Sequence, residues 1–246
     1  MRKLPNSDRA EFEDKPVNRR VLTELIGFLL VGLLPMLLLA WMLVGFQPIA
    51  FVFAMGFYFF GSVLIVTLLR RGFPHRGLGL GNQITLGRFI AVSALFSALF
   101  ASVNPWLVIV VAVLALVADG FDGFFARKTG GVSDFGARLD MEVDSALALV
   151  LAINLWASGI VGPAVLLLAI PRYLFVFAAV LLPWMNMPLP YSLARRVISV
   201  VQIASLIGLH APFLPEFLIT PVAWAVAAFL LWSFGRDIAW LWRKKP

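Results

Sequence analysis

The chain has no cysteine, which excludes disulfides and thiolate metal sites. Charge is scarce too: Asp, Glu, Lys and Arg together make up 13% of the 246 residues. There are two histidines, His75 and His210, too distant in sequence to read as one site. No internal repeat or low-complexity segment stands out beyond the hydrophobicity itself. What fills the chain is apolar. Hydrophobic residues make up 61%, and the mean hydropathy is +0.95. A soluble domain of this size needs more polar surface than that. The apolar runs approach about twenty residues, the length of a helix that crosses a bilayer. A transmembrane barrel would show short alternating segments instead. The expected fold class is all-α, a polytopic integral membrane protein.

Eight hydrophobic segments are read, at 22–45, 48–69, 84–103, 106–126, 139–158, 162–182, 194–211 and 217–240. The connections GFQP, VNPW, SGIVGP and HAPFLPE carry turn residues and no Lys or Arg. The intervening connections hold the cations: Arg70, Arg71 and Arg76; Arg127, Lys128 and Arg138; Arg195 and Arg196. Both tails are basic as well, with Arg19 and Arg20 at one end and Arg243, Lys244 and Lys245 at the other. The positive-inside rule then predicts both termini and every basic loop on the cytoplasmic side. The net charge of +7 is accounted for by this topology and by anionic lipid headgroups, so no nucleic-acid partner is expected. Trp41, Trp106, Trp156, Trp184 and Trp242 fall near predicted span ends, as an aromatic belt requires. The first apolar run follows a mixed-charge stretch and is long enough to span, so no cleavable signal peptide is expected and residues 1–20 read as a cytoplasmic tail.

Against this background the stretch DGFDGFFARKTGGVSDFGARLDMEVD, residues 119–144, is unusual. Asp119 and Asp122 are three apart near the cytoplasmic end of one predicted helix, so they share a face. Asp140 and Asp144 are four apart at the start of the next. The short loop between makes the two helices antiparallel neighbours and brings four carboxylates together. Their mutual repulsion and desolvation are relieved by divalent cations. An all-oxygen site suits Mg²⁺, Mn²⁺ or Ca²⁺, and two metals bridged by shared carboxylates suit displacement at phosphorus. Gly123, Ala126 and Gly136 leave room for a ligand or a close helix, and the fork of Arg127 matches phosphate oxygens. The plain alternative is solvated or paired charge at helix ends. It suffices for Asp134 and Glu142 but explains four phased acids poorly. A cation pathway is the functional rival, and it predicts acids at mid-membrane depth on several helices.

Residues 119–144 match D-x2-D-G-x2-A-R-x8-G-x3-D-x3-D at every fixed position: Asp119, Asp122, Gly123, Ala126, Arg127, Gly136, Asp140 and Asp144. This resembles the signature of the CDP-alcohol phosphotransferase (CDP-alcohol phosphatidyltransferase) family. The segment GNQITLGR, residues 81–88, is similar to an Asn-x-x-Thr-x-x-Arg segment that opens the first core helix of many members. The resemblance implies a six-helix core within residues 71–246 and a homodimer; the two apolar segments in 21–70 that precede this core are a departure from the family pattern. It implies transfer of a substituted phosphate from a CDP-linked donor to an alcohol, with release of CMP. Asp119, Asp122, Asp140 and Asp144 would be ligands of Mg²⁺ or Mn²⁺ in a two-metal site, with Asp144 also the general base. Asp122, Gly123, Ala126, Arg127 and Gly136, with Asn82, Thr85 and Arg88, would lie at the CDP site.

By analogy with compact members, the expected donor is CDP-diacylglycerol, with its acyl chains in the bilayer and a soluble CDP-alcohol as the alternative. Arg172 falls beside Pro171 inside a predicted span, where a lone cation is costly and faces a polar cavity or partner. With Arg195 and Arg196 it can bind the phosphate of an acceptor such as glycerol 3-phosphate or inositol phosphate. Otherwise Arg195 and Arg196 mark topology. A choline- or serine-accepting enzyme, or one of CDP-choline/ethanolamine type, is the alternative within the family. An aromatic cage for choline would draw on Tyr173, Trp184 and Tyr191. Outside the family the rivals are a cation transporter and an inactive membrane scaffold.

Overall fold

The structure is a computed structural model, and it describes residues 18–70, 72–129, 131–159, 161–187 and 193–244. The predicted tail therefore falls mostly outside the described residues. The chain is all-helical, 84% helix with no strand among the described residues. Eight α-helices appear there: α1 (Arg19–Val44), α2 (Pro48–Arg70), α3 (Leu80–Phe96), α4 (Pro105–Thr129), α5 (Asp134–Ala157), α6 (Ile170–Leu181), α7 (Leu193–Leu209) and α8 (Glu216–Arg243). Among the described residues, three helices are long and apolar enough to cross a membrane by themselves: α1, α2 and Phe217–Arg243 of α8. Shorter apolar helices cover Pro105–Phe121, Ile170–Leu181 and Val197–Leu209.

Each predicted apolar segment contains a helix, and the differences lie at the ends and at one break. Segment 162–182 is a 3₁₀ turn, Pro163–Leu168, followed by α6. Pro171 lacks an N–H for the preceding turn and restricts the residue before it, so the helix restarts there. The first core helix begins at Leu80, earlier than expected, because Gly79 takes a left-handed φ of 77° that turns the chain into it. The helix carrying the second aspartate pair begins at Asp134. There Ser133 Oγ accepts the Gly136 N–H at 3.0 Å, an N-cap that places Asp140 a turn and a half into the helix.

The chain divides into two compact units, one gathering the chain up to Val103 with Leu114–Asp144, the other Asn104–Val113 with the chain from Ser145 onward. In the first, α3 is the buried element: eleven of its 17 residues are buried, among them Asn82, Thr85 and Arg88. The hairpin of α1 and α2, turned at Gly45 (φ 65°), packs on it. The hairpin's outward residues are apolar and exposed, Leu30, Val31 and Phe59 among them, a surface suited to lipid rather than water. In the second unit two polar side chains pair across segments. Gln202 Nε2 donates to the Leu168 carbonyl, an inter-segment hydrogen bond in an apolar helix. His210 Nε2 lies 3.2 Å from Asn154 Oδ1, and its Nδ1 lies 2.8 Å from the Leu206 carbonyl.

Candidate active site

Three helices of the first unit build the site: α3 supplies Arg88, α4 supplies Asp119, and α5 supplies Asp140 and Asp144. Arg88 Nη1 stands 2.9 Å from Asp119 Oδ1 and 2.6 Å from Asp140 Oδ1, while Nη2 pairs with Asp144 Oδ1. The Arg88 side chain is 1% exposed; the carboxylates keep 22%, 39% and 23% exposure. One planar fork thus gathers three acids from two helices, a geometry lysine cannot supply. Burying a guanidinium in an apolar unit is tolerated only with such partners. The open sides of the carboxylates leave the acids accessible to a ligand.

Asp119, Asp140 and Asp144 each present an oxygen, all within 4.8 Å of one another. Half-buried carboxylate oxygens at this spacing fit a hard divalent cation such as Mg²⁺ or Mn²⁺. The three carboxylates outnumber the one guanidinium, so this set of four side chains keeps an excess of negative charge for a cation to offset.

Asp122 follows Asp119 by nearly one turn of α4. Its side chain, and those of Ala126 and Arg127, lie outside the described residues, as do the metal and diphosphate contacts expected of them. Gly123 is half-buried on the same helix. Gly136 has a clear structural reason. A Cβ there would lie 2.5 Å from Asn82 Oδ1 and 3.2 Å from Ser133 Oγ, so a larger residue would displace the Asn82 side chain where α3 meets α5. Asn82 donates to the Leu78 carbonyl at 2.6 Å, and Thr85 Oγ1 donates to the Gly81 carbonyl at 3.1 Å. Arg172 is half-buried on α6 in the second unit. The side chains of Arg195 and Arg196, in the first turn of α7, lie outside the described residues, as does Tyr191. Trp184 packs edge-on against Trp242, with centroids 5.4 Å apart.

Sequence reasoning placed Arg88 at the nucleotide and missed its pairing with the aspartates. The signal was present. The cost argument that singles out Arg172 applies equally to Arg88, a cation eight residues past the start of an apolar helix whose nearest acid in sequence is 31 positions away at Asp119.

Together the fold and this cluster define a helical integral membrane protein with a carboxylate-rich site suited to a divalent cation. The CDP-alcohol phosphatidyltransferase family model matches residues 78–232, more than half of the chain, and the chain belongs to that family. The match starts two residues before α3 and takes in the whole aspartate motif, while α1 and α2 precede it. Membership makes the chain a transferase of the CDP-alcohol class. Comparison with curated proteins returns no match, and neither does comparison with solved structures.

Proposed function

We propose that the protein is a phospholipid-biosynthetic enzyme that moves a phosphatidyl group from CDP-diacylglycerol to the hydroxyl of a small alcohol and releases CMP. The observation that carries this reading is the convergence of Asp119, Asp140 and Asp144 from two helices in a chain of this family. Those three and Asp122 would hold two divalent cations, Mg²⁺ or Mn²⁺. When bound, these would polarise the phosphoryl oxygens and offset charge on the departing phosphate. Asp144 accepts the proton of the acceptor hydroxyl. The acceptor oxygen then bonds to the phosphorus distal to cytidine, the bridging P–O bond of the diphosphate breaks, and CMP departs with that oxygen. Arg127 and Gly123 serve the diphosphate, and Arg88 holds the three carboxylates in one constellation, which spares the reaction their reorganisation. The acyl chains of the donor stay in the bilayer.

The acceptor is a phosphorylated polyol, with Arg172, Arg195 and Arg196 as the phosphate-binding cations. The active protein is a homodimer with its site and both termini on the cytoplasmic side, a sidedness supported by the distribution of Lys and Arg between connections. Residues 71–246 form the catalytic membrane core, and residues 21–70 are an addition to it.

The test is CMP release by purified protein with CDP-diacylglycerol and Mg²⁺ or Mn²⁺. Glycerol 3-phosphate, inositol phosphate, inositol, serine and choline are supplied one at a time. Release with a phosphorylated polyol, abolished by EDTA, is the expected result. Release with choline or serine alone overturns the acceptor assignment. Release with no acceptor, when diacylglycerol and a CDP-alcohol do support turnover, overturns the donor.

A further inference from the structure

The helix pair that precedes the family match holds the helix that carries Arg88. We propose that α1 and α2 are a positioning element for α3, with Glu24 as its polar clasp and Gly32 and Gly61 as its packing seat. Glu24 therefore acts as a positioning residue for the active site, not only as a charge on the hairpin.

The polar clasp lies just ahead of α3. The N-cap of that helix is Gly79, which has no side chain to bond the first turn. Glu24, on α1, ties down the backbone that leads into the cap. Its Oε2 takes the Leu78 N–H at 3.1 Å, immediately before the cap, and its other oxygen is fixed by Arg20 Nε at 3.1 Å. A carboxylate at a helix N-terminus also complements the helix dipole. Four residues after Leu78 the same helix places Asn82 against Gly136, and ten residues after it Arg88 enters the aspartates.

The packing seat lies at the two residues that follow Arg88. A Cβ on Gly61 would stand 2.5 and 2.6 Å from the Phe89 ring, and one on Gly32 would stand 2.7 Å from both Ile90 Cδ1 and Tyr58 Oη. Tyr58 stacks on Phe89 with centroids 5.1 Å apart and donates to the Leu29 carbonyl at 2.7 Å. Phe57 stacks on Phe96 further along at 4.5 Å. The hairpin thus grips α3 before Arg88 and directly after it, so a shift of the hairpin moves the guanidinium and with it the carboxylates.

The test combines hydrogen exchange, which needs no assumption about the reaction, with CMP release, which rests on the proposed function. The variants are Glu24→Leu, Glu24→Gln and Gly61→Val in the full chain. Gln keeps an oxygen that can accept the Leu78 N–H; Leu does not. Amides of residues 78–84 are expected to exchange about fivefold faster in Glu24→Leu and at the parent rate in Glu24→Gln, the factor expected from loss of one hydrogen bond. CMP release should fall through kcat, with KM for the donor unchanged, in Glu24→Leu and recover in Glu24→Gln. Gly61→Val should speed exchange at 86–92. Parent-like exchange at 78–84 in Glu24→Leu overturns the clasp. Parent-like exchange at 86–92 in Gly61→Val overturns the seat. An absence of CMP release from the parent protein itself contradicts the assigned reaction and leaves the exchange result to decide the positioning role.

Discussion

Toward α1 and α2, helix α3 makes close apolar contacts; toward α4 and α5 it makes ionic ones. Phe89 meets Gly61 and Tyr58, while its neighbour Arg88 meets Asp119, Asp140 and Asp144. The two sets of contacts do different work. In an apolar environment, packing of small residues against rings is a reliable way to fix one helix against another. Charges are costly there and are kept where chemistry requires them. A helix seated by packing on one flank can present a cation to three acids on the other without those ion pairs being its only anchor. The carboxylates, each partly exposed, are then available to a substrate.

The largest expected effect comes from breaking the ionic set at its centre. Arg88→Gln leaves three carboxylates facing one another without their shared guanidinium. Loss of one partner of a buried ion pair costs about 3–5 kcal/mol, and the partial exposure of the acids places this site toward the lower end. Thermal unfolding in detergent should show a marked drop that is larger in EDTA than in Mg²⁺, because the cation replaces part of the missing positive charge. An equal drop in both conditions would separate the arginine from the cation-binding role of the acids. The smallest expected effect comes from the apolar set. Tyr58→Phe keeps the stack on Phe89 and removes the hydrogen bond to Leu29, for a loss of about 1 kcal/mol. CMP release at the optimum temperature should be unchanged. If Tyr58→Phe instead abolished turnover at full stability, the division between a packing flank and a chemical flank would fail.

Much of this was legible in the residues themselves. The three- and four-residue spacings of Asp119, Asp122, Asp140 and Asp144 place acids on helix faces, because helical phase is local. Gly136 reads as a point of close approach for the same reason, and the structure supplies the approaching atom, Asn82 Oδ1. What could not be read depends on packing between segments distant in the chain. Arg88 is 52 and 56 residues from Asp140 and Asp144, and nothing local in α3 selects them as partners. Glu24 is 54 residues from Leu78, and an acid one turn into an apolar helix reads first as a solvated charge. Helix ends were shifted by caps of two kinds. Ser133 caps α5 before its apolar run begins, and the left-handed Gly79 turns a glycine-rich loop into α3. The break before α6 was signalled by Pro171, but hydrophobicity alone ran through it.

In the proposed reaction the aspartate cluster carries out the transfer and Asp144 takes the proton. The most direct test is CMP release by Asp144→Asn beside the parent protein, with thermal unfolding measured on both. Asp144→Asn should fold and turn over about 10²–10⁴ more slowly, the usual weight of a general base. Turnover within about tenfold of the parent, below that range, would contradict the role assigned to Asp144.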